Sequence, residues 1–283
     1  MEQKRDLAIV LRSVPYEERH RVVTALTERH GRITALARNS IQSRRFGGTL
    51  EPFSASLWRF TERPGSELVR LEEAEIRRSF DRLRKDFRRL AAGSLFNELM
   101  LRMAPERDPC PDLFRLHSNA LAALDEMPEQ GAELPLLNAY VAKLLQWSGS
   151  QPRLEKCLSC HLSLEFLSIE DEVSCLISEA GWICANCRST RTHHIRQQEG
   201  QSLQRSLLRM KSIALKDFYL SLTLPIRKFS AASQGSLQDQ RDLFRFLEAL
   251  MIYHLPGLSG DSLKSLRFLG LESIERPAAM SPQ

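Results

Sequence analysis

Apolar residues recur at two different periods along this chain, and the change of period divides it. Residues 5–13 form an apolar run of strand length, which the sequence Val14-Pro15-Tyr16 is expected to end in a turn. Residues 21–27 and 32–38 are β-branched segments flanking Glu28-Arg29-His30-Gly31, a hairpin in which Gly31 supplies a positive φ. In the second of these strands a period of two sets Arg32, Thr34 and Arg38 on one face and Ile33, Ala35 and Ala37 on the other. Strands are predicted again over 54–60 and 67–73, with a Pro-Gly turn between them. Five short strands separated by turn residues fit a small closed barrel of the OB type. From about residue 79 the period becomes that of a helix. Helices are predicted over 80–103, 111–127, 134–147, 201–221 and 237–254.

An α+β fold class follows: an OB-fold barrel over 1–78, then an α-helical domain over 79–283. The helical domain is interrupted at 154–190 by Cys157-x-x-Cys160, twenty-three residues, and Cys184-x-x-Cys187. Each pair sets two thiols on one tight turn, and two such turns make the tetrahedral sulfur cage that zinc favours. The spacer leaves room for a hairpin, with Gly181-Trp182-Ile183 as a strand feeding the second turn. Cys175, His161, His193 and His194 are the alternative ligands. A redox motif needs one pair at a helix start and not two. A single zinc ion held by four thiolates has no open position for water or substrate, so it is expected to brace the fold.

Charge adds a partner. The net charge is only +5, but residues 1–48 carry ten basic side chains against five acidic, and residues 185–230 carry nine against two. Two separated Arg-rich zones suggest a polyanion, nucleic acid before membrane. The candidate contacts are Arg12, Arg32, Arg38, Arg44 and Arg45 in the barrel and Arg209, Lys211 and Lys216 in the second zone. Phe46, beside Arg44-Arg45 in a Gly-rich loop, is a candidate for base stacking. Core packing is the simpler account of Trp58 and Phe60.

No phosphate loop, H-E-x-x-H, zinc-deaminase signature or nucleophile elbow is present, and no acid–base set presents itself. A binding protein and not an enzyme is expected. No apolar run is long enough to span a bilayer, and the N-terminus enters a strand without signal-peptide architecture, so the expectation is a cytoplasmic protein.

The blocks A-I-V-L-R-S-V-P-Y-E-E-R-H-R-V-V-T-A-L-T-E-R-H-G-R-I-T-A-L-A-R, R-R-F-G-G-T-L-E-P-F, Y-H-L-P-G-L and L-K-S-L-R-F-L together resemble the bacterial recombination mediator family RecO, over essentially the whole chain. The resemblance implies an ATP-independent, nucleoid-associated mediator of the RecF pathway of DNA repair and homologous recombination. Such a protein binds single- and double-stranded DNA and anneals complementary strands. It contacts RecR and the C-terminal tail of single-stranded DNA-binding protein, and helps load RecA. The family's basic residue at the end of G-x-x-x-A-x-A-R corresponds to Arg38, and Arg44 and Arg45 occupy its basic loop. Thr34 stands where some members carry a second basic residue. The alternative is a zinc-ribbon and barrel protein that binds RNA or serves transcription.

Overall fold

The computed structural model describes residues 2–62, 65–128, 133–189, 207–258 and 263–271. The chain forms two compact units, Met1–Met127 and Pro128–Gln283. The change from strand to helix comes near residue 79, but the first unit continues through three helices beyond it.

Five strands close the barrel of the first unit: β1 (Gln3–Tyr16), β2 (His20–Thr27), β3 (Gly31–Ala37), β4 (Ala55–Thr61) and β5 (Val69–Arg78), in the order β1-β2-β3-β5-β4. All neighbours are antiparallel except β3 and β5. β1 runs three residues past its expected end. Its first half pairs with β4 over Gln3–Ile9, and its second half pairs with β2 as far as Tyr16. By Pro15 the strand has lost its β4 neighbour, so the missing N–H costs no ladder bond there.

Val10, Ile33, Val69 and Leu71 fill the barrel with Trp58 and Phe60. The buried indole of Trp58 donates to Ser56 Oγ at 2.9 Å, which satisfies the only polar atom it brings inside. Three helices complete this unit: α1 (Asp81–Lys85), α2 (Phe87–Met103) and α3 (Pro111–Glu126). The helix predicted over 80–103 is thus broken. Asp86 is extended and its carboxylate accepts from the Arg89 backbone N–H at 3.0 Å, capping α2. The restart leaves Phe87, which falls at helical spacing with Leu83 and Leu90, 64% exposed. Arg89 is buried despite its charge, and its guanidinium donates to the carbonyls of Asp125 (3.2 Å) and Met127 (2.9 Å) at the end of α3. Where β1 bulges between Val10 and Arg12, the Leu11 carbonyl is taken by Asn97 Nδ2 of α2 at 2.9 Å.

The second unit is built on α4 (Glu133–Trp147), whose residues from Leu136 to Leu145 are buried with the single exception of Lys143. Around it pack α5 (Ser212–Thr223), α6 (Ile226–Ala232) and α7 (Leu237–His254). An uninterrupted buried stretch of this kind is the mark of a central helix. α7 begins with a capping box between Ser236 and Asp239. A three-stranded antiparallel sheet, β7-β6-β8, comprises β6 (Glu172–Leu176), β7 (Gly181–Cys184) and β8 (Leu207–Lys211). The helix predicted over 201–221 therefore starts only at Ser212. Before it, Leu207–Lys211 pairs with β6, a long-range contact that outweighs local helical spacing.

Asp217 of α5 is a buried carboxylate that holds the α6–α7 connection. It accepts from Ser233 Oγ (2.7 Å), the Gln234 and Gly235 backbone N–H groups (3.1 and 2.9 Å) and Gln240 Nε2. Replacing Asp217 with Ala strands these donors away from water. Stability of the second unit should fall by about 3 kcal/mol. A denaturant titration that moved by less than a third of that would show the connection to be held by apolar packing alone.

Candidate functional site

Among the described residues two places carry recognisable chemistry, one in each unit. On the barrel, the alternation of β1, β2 and β3 turns every second residue outward, and the register stacks those residues into rows. Arg12 lies opposite Thr24, and Thr24 opposite Thr34; the two threonine hydroxyls share a hydrogen bond at 3.2 Å. The next row is Val14, Val22 and Leu36. The last pairs Tyr16 with His20, and Arg38 follows one residue past the end of β3. The result is a three-stranded face with an apolar row between two rows that carry exposed arginines. Neither Arg12 nor Arg38 has an ion-pair partner among the described residues. Tyr16 is 48% exposed. In the sequence Pro15 reads locally as a turn and conceals Tyr16; the period of two carried through Arg12 and Val14 points to it.

The other expected contacts are divided by the structure. Arg32 is half-buried: its Nε donates to the Ala104 carbonyl at 3.1 Å and its guanidinium lies 3.6 Å from Glu106, so it fastens β3 to the segment after α2. Arg45 donates to the Glu72 carbonyl and lies over the Phe46 ring, 5.6 Å from its centroid. Phe46 corrects an expectation. It is 4% exposed and belongs to the barrel core, because residues 44–46 form a turn of 3₁₀ helix that points the ring inward. The Arg44 side chain lies outside the described part of the structure, as do Arg191, His193, His194, Arg205 and the residues from 272 onward. Lys211 pairs with Glu170 at 2.7 Å, and the hydrogen bond and charge of Glu170 raise its pKa. Lys216 Nζ donates to the Leu167 carbonyl at 2.6 Å. Arg209 alone of that group is exposed without a partner among the described residues.

In the second unit the Sγ atoms of Cys157, Cys160, Cys184 and Cys187 all lie within 4.8 Å of one another, and all four thiols are free. Cys160 and Cys184 are 3.7 Å apart. A tetrahedron with metal–sulfur bonds of about 2.3 Å has an edge of about 3.8 Å, so the cluster has nearly the dimensions of a loaded site. Local folding sets this up. The first turn is closed by His161 N–H donating to the Cys157 carbonyl at 3.0 Å, with His161 in the left-handed region at φ 60°. The Leu158 N–H donates to the Trp182 carbonyl of β7 at 2.9 Å, which brings the two turns together. The Cys184 N–H points at Cys157 Sγ at 3.4 Å.

Burial raises the Cys157 thiol, but the backbone N–H groups of Cys160, Cys184 and Ser159 and the Cys160 side chain outweigh it and hold the pKa at about 7. Cys187 is pushed up to about 12 by burial, by the Cys160 and Cys184 thiols and by the charge of Cys157. One thiolate forms readily and opposes the next, an arrangement that a dication relieves. Among the described residues the cluster is complete in these four cysteines. Cys175 instead lies in β6 opposite Trp182, with its thiol driven upward by burial.

Residues 1–80 match the family model for the N-terminal part of recombination protein O, and residues 84–217 match the model for its C-terminal part. The DNA repair protein RecO of Anaeromyxobacter dehalogenans is 36% identical over 188 residues, 66% of this chain and 71% of that protein. Its counterpart from Desulfosudis oleivorans is 28% identical over 264 residues, 93% of this chain and 95% of that protein. The counterpart from Rhodopirellula baltica is 30% identical over 188 residues.

Proposed function

This chain belongs to the recombination protein O family of DNA repair proteins, and from that premise we propose that it acts as a recombination mediator of the RecF pathway, binding single- and double-stranded DNA and annealing complementary strands. The observation that carries this reading is the barrel face: exposed Arg12 and Arg38, without ion-pair partners among the described residues, lie on either side of a row of Val14, Val22 and Leu36, with Tyr16 in the row on the Arg38 side. Annealing brings two phosphate chains together, and arginines that displace condensed counterions lower their repulsion. A half-exposed apolar row with a tyrosine suits bases that have left a duplex.

In this reading the barrel, residues 1–78, is the nucleic-acid module and residues 79–283 are the helical domain. Arg209, exposed on β8, offers a further phosphate contact. RecR, the C-terminal tail of single-stranded DNA-binding protein and delivery of RecA onto coated strands are the partners and outcome that family membership suggests. A cytoplasmic, nucleoid-associated place accords with that role; no described helix is long and apolar enough to cross a membrane. The four cysteines would hold one zinc ion. Four soft thiolates at tetrahedral spacing suit it. Bound there it ties the two turns together and supplies no reactive position.

Arg12 and Arg38 are both exposed and have no ion-pair partner among the described residues, so replacing both with Ala should leave the melting temperature unchanged. The slope of log affinity against log salt for a single strand should become shallower by about 1.4, at about 0.7 per phosphate contact. An unchanged slope would remove this face from the DNA path. Annealing of complementary strands coated by single-stranded DNA-binding protein, with and without that protein's tail and RecR, tests the partners.

A further inference from the structure

The β1–β2 turn and the loop after β3 enclose a notch of about 310 Å³, lined by Arg19, Asn39, Gln42 and Ser43. That volume lies at the lower end of the range of about 300–1,000 Å³ typical of small-ligand sites. Two backbone contacts hold its walls together. The Asn39 N–H donates to His20 Nδ1 at 2.9 Å, and the Ile41 N–H donates to the Arg19 carbonyl at 3.3 Å. Because Nδ1 accepts, the ring proton of a neutral His20 sits on Nε2, which faces Glu17 Oε2 at 3.4 Å. Asn39 takes a left-handed conformation at φ 52°, which an Asn tolerates better than most residues.

The lining groups are unspent. The Arg19 guanidinium and the side-chain amides of Asn39 and Gln42 have no partner among the described residues, while Ser43 Oγ accepts from the Arg45 backbone N–H at 3.2 Å. A pocket for a phosphate alone would gather cations and backbone N–H groups. Here one cation stands with two carboxamides, each of which offers a donor and an acceptor in one plane. That is the complement of a nucleobase edge. Tyr16, the register partner of His20 on β1, is exposed beside the same turn, and Arg38 immediately precedes Asn39 in the chain.

We propose that this notch receives one unpaired nucleobase of a single strand, with the base edge on Asn39 and Gln42, its face on Tyr16 and the adjoining phosphates on Arg19 and Arg38. The proposal rests on the reading of the barrel as a nucleic-acid module and deepens it. A base held in a duplex has its pairing edge occupied and cannot enter, so the notch makes the barrel prefer separated strands over paired ones. Amides of this kind bond to any base, so little sequence preference is expected.

The test measures the full chain and its Tyr16→Ala, Tyr16→Phe and Gln42→Ala variants by fluorescence anisotropy at one salt concentration. Three probes of equal length are used: oligothymidylate, an abasic sugar–phosphate strand, and a duplex. Y16A and Q42A should each lose about tenfold in affinity for oligothymidylate, with the abasic strand and the duplex bound as before, and Y16F should bind like the unaltered chain. The Gln42 side chain is exposed and has no hydrogen-bond partner among the described residues, so its replacement keeps the test valid even if Y16A proves unstable. Equal losses on all three probes, or no loss on any, would overturn the notch as a base site. If the unaltered chain binds none of the probes at low salt, the reading of the barrel itself fails, and the notch with it.

Discussion

Replacing Cys184 with Ser is expected to abolish zinc binding and to unfold the insert around it, while the barrel keeps its affinity for DNA. The insert between Leu154 and the helical turn at 185–189 buries Leu154, Leu164, Val173, Leu176, Ile177, Trp182 and Ile183, a small apolar interior that the two cysteine turns close at one end. Structural zinc in isolated fingers contributes on the order of 10 kcal/mol at neutral pH, more than so small an interior can replace. Metal content per chain should fall from about one to near zero, and limited proteolysis should then cut within residues 154–189. Part of the loss should reach α5, because the Ser212 N–H donates to the Asp171 carbonyl and Lys216 Nζ to the Leu167 carbonyl. A strong chelator should reproduce the effect on the unaltered chain, and acidification should too, since thiols must lose their protons to bind. A chain that carries no zinc as purified and ignores the chelator would refute the metal reading. Loss of annealing in a variant that remained folded would mean the metal does more than brace.

The second large effect is expected at Gly31. Its φ is +65°, in the region that disfavours a side chain, and a Cβ there would stand 2.1 Å from the Asp108 carbonyl oxygen. The neighbour is backbone, held in place by the Arg32 N–H donating to the Pro105 carbonyl and the Arg107 N–H donating to the Arg32 carbonyl. Relief therefore requires β3 to part from the segment that follows α2. Gly31→Ala should cost on the order of 4 kcal/mol. Gly48 provides the control: its φ is +73°, with nothing within 4 Å of a built Cβ, so Gly48→Ala should cost only about 1 kcal/mol of backbone strain. Similar melting temperatures for the two variants would show that the close approach to Asp108 carries no weight.

These two residues mark how far a one-dimensional reading reaches. Gly31 was legible as the positive-φ residue of a hairpin, because that requirement arises within four consecutive residues. The Asp108 carbonyl above it was not, since it comes from 77 positions further along the chain. Likewise the alternation in β3 matched its burial residue for residue, and α7 spans 237–254 as its spacing predicted. By contrast Phe46 and Arg45 look alike as loop residues, yet one fills the barrel and the other lies over it.

The sequence by itself determined the local geometry: the periods of strand and helix, the turns, the two cysteine pairs at metal-binding spacing, and the family. Each of these is set by forces acting over a few residues, namely φ preferences, side-chain alternation and the reach of a thiol across a turn. Only the tertiary structure decided which charges remain available. Arg32, Lys211 and Lys216 are engaged by carbonyls and carboxylates distant in sequence, whereas Arg12, Arg38 and Arg19 are left exposed. A positive side chain has the same identity in either setting. Whether it meets solvent or an internal partner depends on which segment folds against it, and long-range packing alone settles that.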